Sequence, residues 1–267
     1  MSQRRQHVGS QWMLALGLVG ASLLLGLVGC GGSASQVLPP MLSSSTSIQG
    51  IYEGTLTTTL ETGSEASLLI EEDHTFSLVT DSGLQLVGQL SAVNPQVYSG
   101  TAVLSYAEDT LGPTLAVNLA LTFNTQGVVS ASLSGGTVGS FSVVPATEAT
   151  AVSSAVNLTQ LAGRYEAQPR SISTRLATQW TLSSSGALTG SDAASTYSGS
   201  VTQPRPDRNP FGLNVTRQLT APSIPAASFV GRLWFLPAKA TRPARMVIAA
   251  RRVTEGPRGL AGIFTRP

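Results

Sequence analysis

From Ile48 onward, hydrophobic residues recur at every second position, and no helical stripe of any length precedes about residue 150. The clearest example is the segment 115–123, LAVNLALTF, in which every odd-numbered residue is hydrophobic. This period of two is typical of β-strands with one buried face. Similar stretches predict seven further strands: 51–58, 66–71, 75–80, 85–90, 98–106, 127–133 and 138–144. Eight short strands at this spacing predict an up-and-down antiparallel meander.

The pattern then starts again, which indicates an internal duplication. Leu161-Ala162-Gly163-Arg164-Tyr165-Glu166 mirrors Ile48-Gln49-Gly50-Ile51-Tyr52-Glu53 at an offset of 113 residues. Three further matches follow in the same order: 70–76 with 182–188, Tyr98-Ser99-Gly100 with Tyr197-Ser198-Gly199, and 139–142 with 262–265. The Tyr-Ser-Gly match requires a deletion in the second copy. Strands are predicted there at 163–168, 175–182, 187–190, 196–202, 213–219, 229–235, 244–251 and 260–264.

The fold class that follows is all-β, with two tandem repeated antiparallel meander units after an N-terminal signal helix. The predicted divisions are 1–29 signal peptide, 30–47 flexible tether, 48–145 acidic β domain, 146–160 linker and 161–267 Arg-rich β domain. The tether is expected to be extended because it is rich in Ser, Gly and Pro. Each unit is expected to be a small closed or nearly closed barrel, since closure removes exposed strand edges. The alternatives are one sandwich in which each repeat forms one sheet, or two immunoglobulin-like sandwiches.

The first residues follow a secretory pattern. Arg4 and Arg5 precede an apolar run, Trp12–Val28, and Gly29 stands just before the only cysteine, Cys30. Leu27, Val28, Gly29 and Cys30 together resemble the lipobox of bacterial lipoproteins. The resemblance implies cleavage before Cys30, a diacylglycerol thioether on its sulfur and usually a third chain, such as palmitate, on the new amino group.

The resemblance also predicts the compartment. Gly31 stands where a retention signal would place Asp, so the expected location is the cell envelope, at the periplasmic face of the outer membrane. Three alternatives remain open: an uncleaved signal-anchor helix, twin-arginine export through Arg4-Arg5, and Cys30 as a plain apolar residue of a membrane segment. The membrane itself is an expected partner, which the chain contacts through the lipid on Cys30.

Composition disfavours most enzyme classes, and the chain is predicted not to be an enzyme. With one cysteine, no intramolecular disulfide can form, and a lipidated Cys30 excludes thiol chemistry. The only histidines are His7, in the signal peptide, and His74, which aligns with Gly186 and is predicted to be a solvent-exposed turn residue with positive φ. The sequence contains no G-x-S-x-G, Ser-x-x-Lys or phosphate-binding glycine loop, so no cofactor or metal is expected.

Charge divides the two units sharply. Residues 31–160 contain ten acids and no Lys or Arg, whereas residues 161–267 contain four acids and fourteen bases. Two interpretations stay open: opposite charges dock the units together, or the second unit binds anionic lipid, cell-wall polymer or an acidic protein. The candidate surface for such a partner comprises Arg205, Arg208, Arg242, Arg245, Arg251, Arg252 and Arg258. A nucleic-acid partner is disfavoured by location and by the scarcity of aromatics among these arginines.

Two groups of residues give weaker indications of a functional site. The acids of Glu71-Glu72-Asp73 and Glu108-Asp109 could act in a glycosidase or bind Ca²⁺, although acids in turns are ordinarily just solvated. Trp180 and Trp234 could stack on sugars but lie in apolar runs typical of a core.

One further resemblance concerns the second unit. Residues 185–190, after Gly163-Arg164-Tyr165, resemble the early strands of avidin-like and lipocalin-like barrels, without the Trp-rich ligand box of avidins. The preferred function is therefore a non-enzymatic binding or scaffolding lipoprotein. A carrier of a small apolar ligand in a barrel cavity is the alternative, and a carboxylate-dependent hydrolase is third.

Overall fold

Eight consecutive antiparallel strands form a first closed barrel, called barrel 1. A computed structural model describes residues 47–106, 114–146, 156–167, 178–205, 208–220, 226–253 and 259–267, all within one compact unit, Ser45–Pro267. The strands are β1 Gly50–Thr58, β2 Ser64–Ile70, β3 Thr75–Thr80, β4 Leu84–Asn94, β5 Val97–Tyr106, β6 Leu115–Phe123, β7 Val129–Gly135 and β8 Gly139–Pro145. Each pairs with the next, and β8 closes the barrel on β1 with Phe141 opposite Leu56.

A second closed barrel, barrel 2, repeats this topology. Its strands are β9 Gly163–Ala167, β10 Thr178–Leu182, β11 Ala187–Ser191, β12 Ser195–Thr202, β13 Phe211–Leu219, β14 Ala227–Leu236, β15 Arg245–Arg252 and β16 Gly259–Thr265. The strand β16 closes on β9, where Thr265 faces Glu166. The predicted all-β class and tandem antiparallel meanders are confirmed, and of the three architectures left open the structure has two closed barrels.

A single turn of helix, α1 (Leu158–Leu161), precedes barrel 2. Asn157 caps it, because its Oδ1 accepts from the Thr159 amide at 2.9 Å and Gln160 completes a capping box. Among the described residues, no helix has the length and apolar character needed to span a membrane. The predicted signal helix and Cys30 lie outside those residues.

Side chains on alternate positions fill both barrels. Leu56, Leu68 and Leu78 belong to the core of barrel 1, and Trp180, Phe211 and Phe229 to that of barrel 2. All six are fully buried, as the period-two pattern requires. Trp180 is thus a core residue rather than an exposed platform for sugars.

The two barrels share local details that support the duplication. The Tyr52 hydroxyl donates to the Ile48 carbonyl at 2.7 Å, and the Tyr165 hydroxyl donates to the Leu161 carbonyl at 2.6 Å, so the same bond occurs 113 residues apart. His74 has φ 63° and Gly186 has φ 85°, in equivalent hairpin turns. The predicted turn role of His74 is therefore confirmed, but its side chain is partly buried against Tyr98 rather than solvent-exposed.

Two proposed matches between the copies are wrong. The match of 139–142 with 262–265 is out of register by two residues, because Phe264 and Thr265 occupy the positions of Val143 and Val144. Tyr98 lies on β5, but Tyr197 lies on β12, which corresponds to β4, so Tyr98-Ser99-Gly100 and Tyr197-Ser198-Gly199 are not equivalent and no deletion is needed. The true counterpart of Gly199 is Gly88. A Cβ on Gly88 would lie 2.2 Å from the Thr101 carbonyl oxygen, and one on Gly199 would lie 2.1 Å from that of Asn214. Both glycines let the next strand approach closely.

Candidate functional site: the interface between the barrels

The outward faces of β1–β3 pack against those of β14–β16. Ile51, Leu69 and Val79 of barrel 1 form one buried cluster with residues of barrel 2. The barrel 2 members are Trp234, Leu236, Val247, Ala249, Ala261 and Ile263. These strands have apolar residues on both faces, one toward a barrel core and one toward the other barrel, so they read as continuous hydrophobic runs.

Trp234 lies within this apolar interface. Its side chain is fully buried, and its indole Nε1 donates to Ser67 Oγ at 2.9 Å. An indole needs an acceptor for its N–H when it leaves water, and the hydroxyl on the facing barrel supplies it. Trp234 is therefore an interface residue, a role that the sequence had left between barrel core and sugar platform.

A buried ion-pair network borders the apolar cluster. Arg245 is 4% exposed and pairs with Glu53, which is 6% exposed, and with the more exposed Glu65. Lys239 also pairs with Glu53, and Arg242 Nη1 lies 2.6 Å from Glu65 Oε1. Burial alone would raise the pKa of Glu53, but the hydrogen bonds and charges of Lys239 and Arg245 outweigh it and hold the pKa below its usual value.

A more exposed charged rim lies elsewhere along the interface. Arg232 Nε donates to both carboxylate oxygens of Glu71, at 2.8 and 3.0 Å, and Glu71 raises the pKa of Arg232. Arg208 pairs with Glu72, as does Arg205 at 3.2 Å, and both arginines lower the pKa of Glu72. Exposed pairs of this kind contribute little individually, whereas removing one partner of the buried Glu53–Arg245 pair would leave a charge in the interface without that partner.

The structure uses most of the predicted arginine surface within the chain. Arg205, Arg208, Arg242 and Arg245 pair with barrel 1 acids, and Arg251 Nη2 donates to the Val87 carbonyl at 3.3 Å. Arg252 ends β15, and Arg258 lies outside the described residues. These contacts support the docking interpretation of the charge division.

Sequence reasoning missed two cations of the interface, Arg232 and Lys239. Arg232 occupies an outward position of β14, two residues before Trp234 on the same face. The sequence did contain a signal for Arg232, namely a charge on the outward face of an otherwise apolar strand. When another part of the protein covers such a face, the charge needs an opposite charge as its partner.

The paired acids are engaged in these contacts. Glu71 and Glu72 face arginines, and Asp73 Oδ1 accepts from the Thr75 amide at 2.9 Å within the hairpin turn. Glu108 and Asp109 lie outside the described residues. Across the described part of the chain, no group of three or more His, Cys, Asp or Glu side chains is arranged to hold a metal ion.

A separate polar cluster closes one end of barrel 1. Ser82 donates to Glu61, and Thr80 Oγ1 lies 2.6 Å from Ser82 Oγ. Burial raises the pKa of Glu61, although the surrounding hydroxyls oppose the shift. Burial also raises the pKa of Tyr106 to about 12, helped by the nearby Glu61 charge. The cluster keeps the Glu61 carboxyl partly out of water in the connection between β1 and β2.

Open space lies between the barrels and at one end of barrel 2. A groove of about 680 Å³ runs between the barrels, bordered by Phe76, Val87, Val230 and the Arg232–Glu71 pair. A smaller cavity of about 180 Å³ at the end of barrel 2 is lined by Leu161, Tyr165 and Phe235 among others. That cavity is smaller than the roughly 300–1,000 Å³ of typical small-molecule sites.

Comparison with known protein families, with characterised proteins and with solved structures finds no match to this chain. The fold and the interface therefore define the class: a tandem of two eight-stranded meander barrels, joined by an apolar patch and by ion pairs between an acidic barrel and a basic one.

Proposed function

We propose that the chain is a lipid-anchored protein of the cell envelope with a non-enzymatic binding or scaffolding role. The observation that carries the proposal is Leu27-Val28-Gly29-Cys30 at the end of the apolar run Trp12–Val28. In this proposal residues 1–29 are removed, Cys30 carries lipid, and Gly31 directs the protein to the periplasmic face of the outer membrane.

Anchoring of this kind is energetically sufficient. Each buried CH₂ of an acyl chain contributes about 0.8 kcal/mol, and two or three chains give stable attachment. The proposed tether, residues 30–47, can span at most about 60 Å when fully extended, at about 3.3–3.6 Å per residue. A tether of this length lets the barrels reach partners well beyond the headgroups.

The barrels support scaffolding more than transport or hydrolysis. Their interiors hold large buried side chains such as Phe76, Phe211 and Phe229, whereas a carrier of an apolar ligand needs a cavity. The acids Glu71 and Glu72 are paired with arginines, whereas a glycosidase needs two carboxyl groups facing each other across a cleft. The arrangement that favours a binding or scaffolding role is the groove of about 680 Å³ between the two barrels.

Cys30→Ser tests the anchor. We expect the native chain in the membrane fraction, labelled by radioactive palmitate, and the C30S chain unlabelled. A matched control is Gly31→Asp, which keeps the lipid but is expected to hold the protein at the inner membrane. Labelled C30S protein, or C30S protein still integral to the membrane with residues 1–29 attached, would support a signal-anchor instead.

We also propose an anionic envelope component or an acidic protein as partner of barrel 2. Arg251 and Arg252 end β15 and Arg258 follows closely in sequence, so these three neighbouring arginines are changed first. Crosslinking in intact envelopes, followed by capture, should lose the partner when these three become Gln. The control is Arg164→Gln, which removes an exposed arginine paired with Glu166. An unchanged set of captured molecules discards the basic-surface proposal.

A further inference from the structure

The duplication provides an internal comparison of the two barrel interiors. From Tyr52, strand register leads around barrel 1 through a ring of leucines: Leu68, Leu78, Leu86, Leu104 and Leu115. From the equivalent Tyr165, the same path around barrel 2 leads through Trp180, Gly190, Tyr197, Arg217 and Ala227. Barrel 1 fills this ring with aliphatic side chains alone, whereas barrel 2 places an indole, a phenol and a guanidinium there.

Trp180 is the first unusual member of the barrel 2 ring. It is 0% exposed, and its ring centroid lies 4.8 Å from that of Tyr197. Gly190 makes room for the indole, because a Cβ there would lie 2.7 Å from Trp180 Cε3. The indole Nε1 has no hydrogen-bond acceptor within the described part of the structure, unlike that of Trp234. Native proteins leave few buried donors in this state, so an acceptor beyond the described residues is expected, and a bound ligand can supply it.

Ser195 adds a second buried polar group beside the ring. It stands two residues before Tyr197 on the same inward face of β12, where barrel 1 has Leu84. Ser195 is 2% exposed, and its Oγ has no hydrogen-bond partner among the described residues. Thus a second leucine position of barrel 1 has become a buried hydroxyl in barrel 2.

Arg217 gives the same wall a positive charge. It lies directly across from Tyr197 in the β12–β13 ladder and is only 7% exposed. A guanidinium offers a planar array of N–H donors that matches the oxygens of a carboxylate or phosphate. Directly beside Arg217 on β14, Ala227 is smaller than its barrel 1 counterpart Leu115. At the rim, the Tyr197 hydroxyl donates to Asp192 Oδ2 at 2.6 Å, which holds the phenol in place.

We propose that this end of barrel 2 binds an oxyanion, the carboxylate or phosphate group of a small molecule. Its oxygens accept hydrogen bonds from Trp180 Nε1 and Ser195 Oγ, and its charge is balanced by the Arg217 guanidinium. Donors and positive charge on one wall select an acceptor with negative charge. The site goes beyond the scaffolding role and does not depend on the lipid, so either proposal can fail without the other.

The indole N–H of Trp180 is a direct probe. The full chain, labelled with ¹⁵N and purified in detergent, is titrated at constant ionic strength with acetate, benzoate and inorganic phosphate. Trp180→Phe assigns the resonance. We expect at least one of these anions to shift the Trp180 indole signal saturably, while the Trp234 signal stays fixed. A response to acetate or benzoate identifies a carboxylate ligand, and a response to phosphate alone identifies a phosphate.

Variants copied from barrel 1 test the wall itself. Arg217→Leu installs the residue found at Leu104, and we expect it to weaken binding by about tenfold or more, as loss of one charged hydrogen bond does. Ser195→Ala is a milder second variant, expected to weaken binding several-fold. Arg164→Lys, which keeps an exposed cation, should leave the titration unchanged. An unmoved Trp180 signal with all three anions, or the same shift in R217L and S195A as in the native chain, overturns the proposal.

Discussion

Replacement of Arg245 by Met tests how the barrels hold together. Arg245 is 4% exposed and bridges two carboxylates of barrel 1, Glu53 and Glu65. Met has a similar length and fills the space left by the aliphatic stem, but it removes the charge. Glu53, itself 6% exposed, would then remain in the interface with Lys239 as its cationic partner.

The expected cost follows from the burial of these groups. Removal of one partner from a buried ion pair typically destabilises a protein by about 3–5 kcal/mol. Lys239 still compensates Glu53, and Glu65 is exposed enough to be solvated, so we expect the lower end, about 3 kcal/mol. In a chain of this size each kcal/mol lowers Tm by roughly 2–4 °C, which gives a decrease of about 6–12 °C.

Urea unfolding and thermal melts of R245M measure this cost. Trp234 fluorescence reports separation of the barrels, because its indole is buried between them. The matched double variant is Glu53→Met with Arg245→Met. It should recover most of the loss, since an apolar pair can replace a buried ion pair with little change in stability. A single variant as stable as the native chain, or a double variant no better than the single, refutes the reasoning.

Three further predictions concern individual side chains. The Glu53 pKa lies below its unfolded value, so its ion pairs stabilise the fold fully above about pH 4.3 and less as pH falls through the folded pKa. Urea midpoints measured from pH 6 to 3 should show this loss of stability, and the E53Q variant should show a smaller pH dependence. Glu61 has a raised pKa, so the folded state loses stability as pH rises from about 4.3 through that pKa. Glu61→Gln should therefore raise the stability measured in thermal melts at pH 7 by about 1 kcal/mol. No gain at pH 7 would contradict the inference that burial of the carboxyl is costly. His74→Gly should keep or raise stability by up to about 1 kcal/mol, because glycine adopts φ 63° freely; a clear loss would mean that the ring contact with Tyr98 outweighs the turn.

The strands were predictable because each has one face in a barrel core. All sixteen observed strands overlap a predicted one, and the LAVNLALTF segment corresponds to β6 residue for residue. Closure into barrels was harder to predict, because strands of a barrel and of a sandwich show the same hydrophobic period of two. What closes barrel 1 is the pairing of Leu56 with Phe141, a contact between residues far apart in sequence.

The interface was only partly predictable. The division of charge indicated attraction between the units, but it could not say which arginines meet which acids. Leu233-Trp234-Phe235-Leu236 is an unbroken hydrophobic run, which indicates a strand covered on both faces without showing what covers the second face. The false Tyr98–Tyr197 match has a related cause, because small motifs recur in any meander and only strand register shows which positions are equivalent.

The intact mass of the mature chain tests the proposed function most directly. We expect residues 30–267 with Cys30 at the N-terminus, carrying a diacylglyceryl group on sulfur and an acyl chain on nitrogen. A chain that retains residues 1–29 with an unmodified Cys30 thiol would contradict the anchor and the envelope location inferred from it.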